Sequence, residues 1–430
     1  MTPTSSLAAS EHDAYLRAIL DRPDDDVPRL LYADWLEKQG DPRGEFIHLQ
    51  YKLRRLAEDD QERRTIEARQ QQLLSKHQAK WLGPLAALAG KALGWQFRYG
   101  FVEAGELPVR TFLEHAETIF QNAPLRAIRL FFLYGPGSVL EESRHESPEV
   151  YQEQLEWLKD AGGATVEELV ACRYLARLRR LDLNCWYAGD PAVVAVATCP
   201  HLVNLTALQL GNRNLGPAAV QAIGQSPYLT NLNTLDLSYE EGRERETNRI
   251  GDEGTEVLAS SPAFGRLTTL VAQRCGIKAA GVHALVESEY LGRLSRLNLS
   301  VNWIGLEGLR AITESPRGRR FTLLNLAGCR LGPAAASLLA SSPNVTSLTY
   351  LDLRNNDLSS ENARELAHSP QLARLTVLDL SHNPIGNAGA KALAASPHWQ
   401  RMVRLRIKDG QVGDEGRRAL RSRFGERFQE

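Results

Sequence analysis

The chain has 430 residues, of which 43% are hydrophobic and 24% charged, and its formal net charge is −1. This composition is ordinary for a folded protein. Because positive and negative charges nearly cancel, the chain as a whole is not expected to bind nucleic acid or an anionic membrane. The N-terminus lacks a secretory signal and no run of about 18 apolar residues occurs, so we expect a cytoplasmic protein without a membrane span. The five cysteines form no CxxC pair, so we expect neither a disulfide framework nor a zinc ribbon.

Residues 11–56 carry apolar side chains at helical spacing. The first set is Tyr15, Leu16, Ile19 and Leu20, and the second is Leu30, Leu31, Trp35 and Leu36. Pro28 suits the first turn of the second helix, and a Gly-Asp-Pro step at 40–42 ends it. A long third helix is predicted from about Gly44 towards Lys80. We therefore predict a small all-α domain over residues 1–92.

The next segment reads GWQFRYGFVEAGEL over residues 94–107 and predicts a two-stranded β cap with a turn at 99–100. A helix and then a strand over residues 125–133 follow. The acidic segment 134–165 is either an interrupted repeat or an inserted helix, and the sequence does not decide between them. Residues 93–170 are thus predicted to form an N-terminal cap with an irregular first repeat and an acidic insertion.

The rest of the chain, residues 171–430, is internally repetitive. A leucine recurs every 27 residues, with one step of 35, at Leu181, Leu208, Leu235, Leu270, Leu297, Leu324, Leu351, Leu378 and Leu405. An Ile/Leu column and a proline column show the same period and the same eight-residue insertion between Leu237 and Ile250. Chance does not make three columns agree, so we predict nine stacked repeats with a C-terminal cap.

Each repeat predicts a strand, a turn and a helix. In the LDL triplet the two leucines point one way and the aspartate the other, as in a strand, and a stretch such as IGNAGAKALAASP has helical spacing before its proline. A single unit cannot bury its leucines, so neighbouring units must stack. The predicted fold class is therefore α/β, a solenoid with inner parallel strands, outer helices and a period of 27.

One further column lies at the bend between strand and helix. It reads Trp186, Arg213, Asn248, Cys275, Asn302, Cys329, Asn356, Asn383 and Gly410. A buried Asn amide at this bend can satisfy backbone groups of its own and the neighbouring coil, and Cys is a small, weakly donating substitute. We therefore interpret Cys275 and Cys329 as structural positions rather than reactive thiols.

The pattern LxxLxLxxNxIGxxGxxxLAxSP resembles the ribonuclease-inhibitor type of leucine-rich repeat over residues 171–430. That resemblance implies the solenoid fold but no particular function, because the fold serves many partners. The N-terminal stretch PRLLYADWLEKQGDPRGEFIHLQ is similar to the short helical companion domain that precedes repeats in some bacterial proteins, notably from planctomycetes and myxobacteria. No activity follows from this second resemblance.

No arrangement of residues predicts an active site. The chain has no P-loop, no dinucleotide glycine fingerprint, no HExxH and no GxSxG. Ser381, His382 and Asn383 are a catalytic trio only in composition, since adjacent residues at a strand end do not face one another. We expect no catalytic residue, no cofactor and no metal ligand.

The predicted function is a non-catalytic scaffold that binds a partner protein through a concave inner face. The candidate residues there are Asp182, Gln209, Asp236, Asn298, Asn325, Tyr350, Asp352, Arg354, Asp379 and Arg406. These residues either simply solvate exposed strands or form a polar, mildly acidic groove for a basic partner surface. The charged insertion 239–249 is either a solvated loop or a second, finger-like contact.

Other functions remain open at this stage. A regulator of a GTPase, similar in repeat type to the Ran GTPase activator, would aim an Asn or Arg at the nucleotide from a repeat edge, with Asn302, Asn356 and Arg354 as generic candidates. A ubiquitin-ligase-like effector would need a catalytic cysteine domain beyond the repeats. A purely structural repeat protein would need no partner.

The last predicted strand, RLRIKDG, is basic. Its cations at 404, 406 and 408 are expected to guard an open sheet edge, because charged side chains discourage pairing with another chain. The final helix is polar on its outer side and is interpreted as a cap, with a basic docking patch as the alternative.

Overall fold

A computed structural model describes residues 3–57, 60–88, 92–131, 165–183, 189–211, 215–239 and 248–430, with side chains from residue 11 onwards. Most of the acidic segment, the insertion residues 240–247, and Trp186 and Arg213 of the bend column lie outside the described residues. The chain divides into two units, Met1–Asp182 and Leu183–Glu430. The domain limits predicted after residues 92 and 170 stay predictions.

The first unit combines helices with four strands among its described residues. The helices are α1 Pro3–Asp21, α2 Asp26–Lys38, α3 Pro42–Arg55, α4 Gln61–Leu82, α5 Val109–Asn122 and α6 Val166–Val170. The strands are β1 Gly94–Arg98, β2 Phe101–Pro108, β3 Ala127–Phe131 and β4 Arg180–Asp182. Strands β1 and β2 pair antiparallel, whereas β2, β3 and β4 pair in parallel. The first two predicted helices and the β cap are confirmed.

The long third helix expected from Gly44 towards Lys80 is wrong, because the chain forms two helices there. Leu56 leaves the helical conformation with φ −79° and ψ 143°. Asp60 then caps α4, since its carboxylate accepts a hydrogen bond of 2.8 Å from the backbone N–H of Glu62. An aspartate in this position stabilises a new helix start, which the apolar spacing alone did not reveal.

The β1–β2 hairpin is fastened to helix α3. Tyr99 and Gly100 both have positive φ, 48° and 80°, as a two-residue hairpin turn requires. The side chain of Gln50 accepts a hydrogen bond from the N–H of Gly100 at 2.9 Å and donates one to the carbonyl of Phe97 at 3.1 Å. The helices and the cap therefore share one core, made of Ile19, Tyr32, Ala33, Leu36, Ile47, Tyr51 and Phe101.

A buried ion pair crosses this core. The guanidinium of Arg29, which is 1% exposed, donates to the carboxylate of Glu103 and, at 2.8 Å, to the carbonyl of Pro23. Burial raises the pKa of Glu103, and the positive charge of Arg29 opposes that rise. Helix α2 and strand β2 are thus joined by charges that have been removed from water.

The second unit alternates short strands with helices. Its strands are β5 Ala207–Gln209, β6 Thr234–Asp236, β7 Thr269–Val271, β8 Arg296–Asn298, β9 Leu323–Asn325, β10 Tyr350–Asp352, β11 Val377–Asp379, β12 Arg404–Arg406 and β13 Phe428–Gln429. Its helices are α7 Gly189–Ala197, α8 Pro217–Gln225, α9 Gly251–Ser260, α10 Ala279–Glu287, α11 Gly305–Glu314, α12 Ala335–Ser341, α13 Ser360–Ala367, α14 Gly386–Ala394 and α15 Asp414–Phe424. The predicted α/β solenoid is confirmed.

The strands pair in parallel with the register that the leucine column predicts. Leu351 lies between Leu324 and Leu378 on the neighbouring strands. The step of 35 residues is absorbed without loss of register, because Leu235 still pairs with Leu270. The central leucines of strands β5 to β12 are 0% exposed, so coil-on-coil stacking hides the repeated leucines from water.

The predicted Asn column forms a hydrogen-bonded ladder between coils. The Asn302 oxygen accepts from the backbone N–H groups of Cys275 and Ile277, both at 3.0 Å. Its Nδ2 donates to the carbonyls of Ala272 at 2.7 Å and Leu299 at 2.9 Å. The amide is therefore fully used in joining one coil to the next. The equivalent bonds recur at Asn356 and Asn383.

The cysteines of that column are buried and structural. The thiol of Cys275 donates to the carbonyl of Leu237 at 3.2 Å, and the thiol of Cys329 donates to that of Leu299 at 3.1 Å. Burial raises the pKa of Cys275 well above its ordinary value and that of Cys329 to about 12. Because the thiolate is the reactive form, these groups are inert at neutral pH, as the sequence interpretation expected.

A second ladder, which the sequence did not predict, runs along the other end of the helices. The hydroxyl of Ser369 donates to the carbonyl of Ala340 at 2.7 Å and accepts from the N–H of Gln371 at 3.2 Å. Each bond from serine to carbonyl spans 29 residues and so reaches the preceding coil. The serines that make it are Ser226, Ser288, Ser342, Ser369 and Ser396.

The expectation that β12 is an open edge is wrong. Strand β13 pairs with it in parallel, Leu405 opposite Phe428 and Arg406 opposite Gln429. Gly425, with φ 57°, turns the chain back after helix α15 so that the largely buried Phe428 continues the leucine column. The guanidinium of Arg406 accordingly bonds Gln429, with Nε donating to Oε1 at 2.8 Å, rather than guarding a bare edge.

Candidate partner-binding surface

The side chains that flank the buried leucines of the second unit form what we call the strand face. A strand alternates its side chains, so the residues before and after each leucine point away from the core. The positions before the leucine are Ala207, Thr234, Thr269, Arg296, Leu323, Tyr350, Val377 and Arg404. The positions after it are Gln209, Asp236, Val271, Asn298, Asn325, Asp352, Asp379 and Arg406.

Nine of the ten predicted site residues belong to this unit, and the register sets several of them side by side. Asn325 lies between Asn298 and Asp352, and Asp379 lies between Asp352 and Arg406. The tenth, Asp182, belongs to the first unit, where its carboxylate lies 3.4 Å from Nε of Arg129.

The idea that the aspartates simply solvate exposed strands is wrong. Asp236, Asp352 and Asp379 are 8%, 0% and 4% exposed. Each carboxylate accepts a hydrogen bond from the backbone N–H two residues further on, at 2.9, 3.1 and 3.0 Å. Asn298 and Asn325 make the same bond, at 2.9 and 3.1 Å. This column therefore braces the end of each strand, a local bond typical of Asx side chains.

Because these carboxylates are buried, they do not make the accessible charge of the strand face negative. Nε of Arg354 donates to both carboxylate oxygens of Asp352 at 3.0 Å and lies 3.6 Å from an oxygen of Asp379. Burial raises the pKa of Asp352, and the hydrogen bonds from Arg354 oppose that rise. One exposed cation thus covers two buried anions, so the prediction of a mildly acidic groove is wrong.

The accessible charges of the strand face are positive. Arg296 and Arg404 of the strand face, and Lys408 two residues beyond Arg406, are exposed, and none of them has an ion-pair partner among the residues that the structure describes. Arg404, Arg406 and Lys408 occupy alternating positions of one extended segment, so their side chains point to the same side. Successive members of this row are about 7 Å apart. The face therefore offers a row of cations at its C-terminal end.

A shallow depression of about 320 Å³ lies in the middle of the strand face. It is lined by Thr269, Leu270, Val271, Arg296, Asn298, Leu323, Asn325 and Tyr350. Tyr350, at the side of the depression, is half-buried, and this burial raises the pKa of the Tyr350 hydroxyl. An apolar floor with a cation and a tyrosine at the rim is suited to a protruding apolar side chain of a partner.

The sequence interpretation missed an aromatic patch on the loops that follow the strands. Trp303 is 62% exposed and Val301 is 38% exposed. The guanidinium of Arg330, on the next coil, lies 4.4 Å from the Trp303 ring. The signal was available in the column directly after the bend Asn or Cys, where Trp303 stands among Gly276, Arg330, Asp357 and Pro384.

The structure does not bring the trio at 381–383 together. Ser381 and Asn383 are buried within the coil, and His382 points outward with φ 56° and lies 3.4 Å from Asp409. No group of three His, Cys, Asp or Glu side chains in the described ranges could hold a metal ion. No helix in that part of the chain is long and apolar enough to cross a membrane.

The three generic candidates for GTPase regulation differ in accessibility. The amides of Asn302 and Asn356 are buried and used by the ladder, whereas Arg354 is bound to Asp352 and its side chain is 44% exposed. GTPase regulation stays a prediction.

Stacked strand-and-helix coils of 27 residues define the second unit as an α/β repeat solenoid. A family model described as Leucine Rich repeat matches residues 294–312, 346–367 and 374–394. The chain therefore contains leucine-rich repeats.

Solved structures resemble the chain only at low sequence identity. An internalin from Listeria monocytogenes is 20% identical over 61% of this chain and 70% of its own, with a TM-score of 0.40. A Leptospira interrogans leucine-rich-repeat protein is 18% identical over 62% of each chain, with a TM-score of 0.36. The yeast complex of Rad7 and Elc1 contributes a chain that is 15% identical over 68% of this chain and 86% of its own, with a TM-score of 0.39. No curated protein matches the chain.

Proposed function

We propose that this chain is a non-catalytic scaffold that binds a partner protein through the strand face of its second unit. Two observations carry the proposal: the depression beside Tyr350, which Arg296 lines, and the unpaired cations Arg404 and Lys408 two strands further along the sheet. Charges left without partners on an ordered surface are available to another molecule at little cost in side-chain rearrangement. Solenoids of stacked repeats use such extended surfaces for binding.

The partner that fits this surface is an acidic protein segment with an apolar anchor. Its carboxylates would meet Arg404 and Lys408, and its apolar side chain would enter the depression. Rows of opposite charge speed association and select the partner, while the buried apolar contact supplies most of the affinity. The aromatic patch of Trp303, with Arg330 beside it, provides a second contact, because exposed tryptophan and arginine are typical of interface hot spots.

The insertion 239–249 is proposed to extend the contact. Tyr239 is buried and Asn248 returns to the ladder, so the intervening chain starts and ends on the same strand-to-helix side as Trp303. Arg249, next to the ladder residue, is exposed. Insertions in repeat proteins gather on the side that faces the partner.

The finer assignments from sequence are part of the same proposal. The repeats are proposed to be of the ribonuclease-inhibitor type, and the N-terminal helices to be the bacterial companion domain. The location is proposed to be the cytoplasm. The support is the LxxLxLxxNxIG pattern, the PRLLYADWLEKQGDPRGEFIHLQ stretch, and a set of free cysteines with no disulfide among the described residues.

The test is selection of peptides from a random displayed library on the full-length chain. We expect enrichment of sequences rich in Asp and Glu around a large apolar residue. Binding of a selected peptide should fall at least tenfold in the double variant Arg404→Glu and Lys408→Glu, because like charges repel, and it should weaken as salt is added. Enrichment of basic or uncharged peptides would contradict the proposal.

A charge-matched control separates this surface from general electrostatics. Arg374 and Arg401 are exposed but precede the strands rather than lining the strand face. The double variant Arg374→Glu and Arg401→Glu has the same net charge as the test variant and should bind the selected peptide nearly as well as the unaltered chain. Equal loss in both variants would show that the strand face is not the site.

A further inference from the structure

Three arginines converge on a small polar pocket in the first unit. The pocket encloses about 280 Å³ and is lined by Gln50, Leu53, Arg54, Arg63, Gln70, Arg98 and Tyr99. Its walls come from α3, α4 and the β1–β2 hairpin. The volume lies just below the range of about 300–1,000 Å³ typical of pockets for drug-sized ligands, so the space suits a small group.

The carboxylates of the described residues do not neutralise this pocket. Arg54 donates from one terminal nitrogen to Asp26 at 3.0 Å, and Nε of Arg63 lies 3.1 Å from a carboxylate oxygen of Glu67. The guanidinium of Arg98 has no hydrogen bond and no ion pair among the described residues, and its charge acts on the buried Glu103 by lowering the pKa of that carboxyl. Arg63 also donates from one terminal nitrogen to the carbonyls of Leu53 and Leu56, each at 3.5 Å, so the N–H donors left over belong mainly to Arg98.

A buried amide also lacks a partner here. The Nε2 atom of Gln70 is shielded from solvent and makes no hydrogen bond. Other parts of the Gln70 side chain line the same pocket as the unpaired Arg98. The exposed guanidinium of Arg98 is therefore the donor that a negatively charged group in the pocket would meet.

The pocket is held in place before any ligand arrives. Gln50 fixes the hairpin turn through the N–H of Gly100 and the carbonyl of Phe97, which flank Arg98 and Tyr99. The Tyr99 ring stacks on Tyr51, with centroids 4.5 Å apart. Ordered donors lose little entropy when a ligand binds.

We propose that this pocket binds a phosphate group, either free or carried on a phosphorylated peptide. Guanidinium groups match the geometry of phosphate and carboxylate oxygens. The donors approach from three separate elements, and phosphate has enough oxygens to engage all of them, whereas a carboxylate has only two. The net positive charge favours the more highly charged group. This site is separate from the strand face and does not depend on the function proposed there.

Isothermal titration calorimetry on the full-length chain tests the proposal, with inorganic phosphate in one arm and a phosphoserine peptide in the other. We expect saturable binding in at least one arm. Binding in both arms identifies free phosphate as sufficient, and binding of the peptide alone identifies a phosphorylated segment. Acetate at the same ionic strength should give no saturable heat. No binding in either phosphate arm, or equal binding of acetate, would overturn the assignment.

Variants place the binding in the pocket. Arg98→Gln should weaken phosphate binding about tenfold or more, because it removes the unpaired charge and its donors, and it should leave folding intact since Arg98 is exposed. Arg64→Gln removes an exposed cation of helix α4 outside the pocket and is the control. Unchanged binding in Arg98→Gln would overturn the proposal.

Discussion

The two units of this chain solve the problem of a stable core in different ways. In the second unit one set of contacts is repeated. The coils bury a leucine at the same register, and most of them bond a neighbour through a bend amide or thiol and through a serine. In the first unit each important contact occurs once, such as Arg29 with Glu103 or Gln50 with the hairpin. The free energy of folding is thus spread over many equivalent bonds in the repeats, whereas in the first unit it depends on a few contacts that each occur once.

The largest expected effect comes from breaking a unique contact. Arg29→Met should lower the free energy of unfolding of the first unit by about 3–5 kcal/mol, because Glu103 would be left buried without its countercharge. Urea denaturation, combined with hydrogen exchange read separately for each unit, measures the loss and localises it.

A second substitution shows whether the unpaired charge is the cause. Adding Glu103→Leu to Arg29→Met should restore much of the stability, because the pair is then replaced by apolar groups. Arg22→Met, which removes an exposed partner of Asp25, should change the unfolding free energy by less than about 1 kcal/mol. A loss at Arg29 no larger than that at Arg22 would contradict the contrast between the units.

The next effect comes from a repeated contact. Asn356→Leu should lower the free energy of unfolding of the second unit by about 2–4 kcal/mol, since the amide serves the backbone of two coils and its loss leaves buried N–H and C=O groups without partners. Hydrogen exchange should show the loss centred on the adjacent coils, because each coil contacts only its neighbours.

The control for the ladder is an asparagine outside it. Asn233 is exposed and bonds only its neighbour Thr234 through its side chain, so Asn233→Ala should change stability by less than about 0.5 kcal/mol. Uniform loss of protection over the whole unit in Asn356→Leu, instead of a local one, would show that the coils do not behave as nearest-neighbour units.

The smallest effect concerns the buried aspartates of the strand face. Burial raises the pKa of Asp236, so the ionised carboxylate is disfavoured in the folded chain. The contribution of Asp236 to the free energy of unfolding therefore falls as the pH rises above 3.8, the ordinary pKa of an aspartate. Asp236→Asn keeps the oxygen that accepts from Ser238, as Asn298 and Asn325 do on their own coils. We expect the variant to be more stable at pH 7, by up to about 1 kcal/mol.

The pH profile is the sharper measurement for this pair. The advantage of Asp236→Asn over the unaltered chain should shrink as the pH is lowered from 7 towards the ordinary aspartate pKa of 3.8, because protonation removes the same buried charge that the substitution removes. Asp357→Asn removes an exposed carboxylate outside the strand face and is the control. A variant less stable than the unaltered chain at pH 7 would mean that the charge itself supports the strand end.

The same contrast explains what could be predicted from sequence. The register, the leucine core and the Asn ladder were predictable because one residue type does one job at a fixed spacing, as Leu351 and Asn356 show. The serine ladder was visible as a column but not as a bond, since its acceptor is a backbone carbonyl that no sequence letter marks. Strand β13 was missed because it has only two residues.

The candidate surface was harder to predict than the fold. The positions of Asp352 and Asp379 followed from the register, but their burial and their contact with Arg354 did not, because spacing does not reveal them. In the first unit the pocket around Arg98 joins residues from three elements far apart in sequence. Contacts that occur once leave no periodic trace, so such sites become visible only in three dimensions.

The points where the insertion leaves and rejoins its coil carry a practical consequence. The N–H of Tyr239 is bonded to the carbonyl of Gln273 at 3.0 Å, and that of Asn248 to Arg274 at 3.0 Å, so both ends are tied to the following coil. Stacking is thus indifferent to how much chain intervenes. This junction is a natural graft point, where a foreign epitope or recognition loop could be exchanged for residues 240–247 while the scaffold keeps its register.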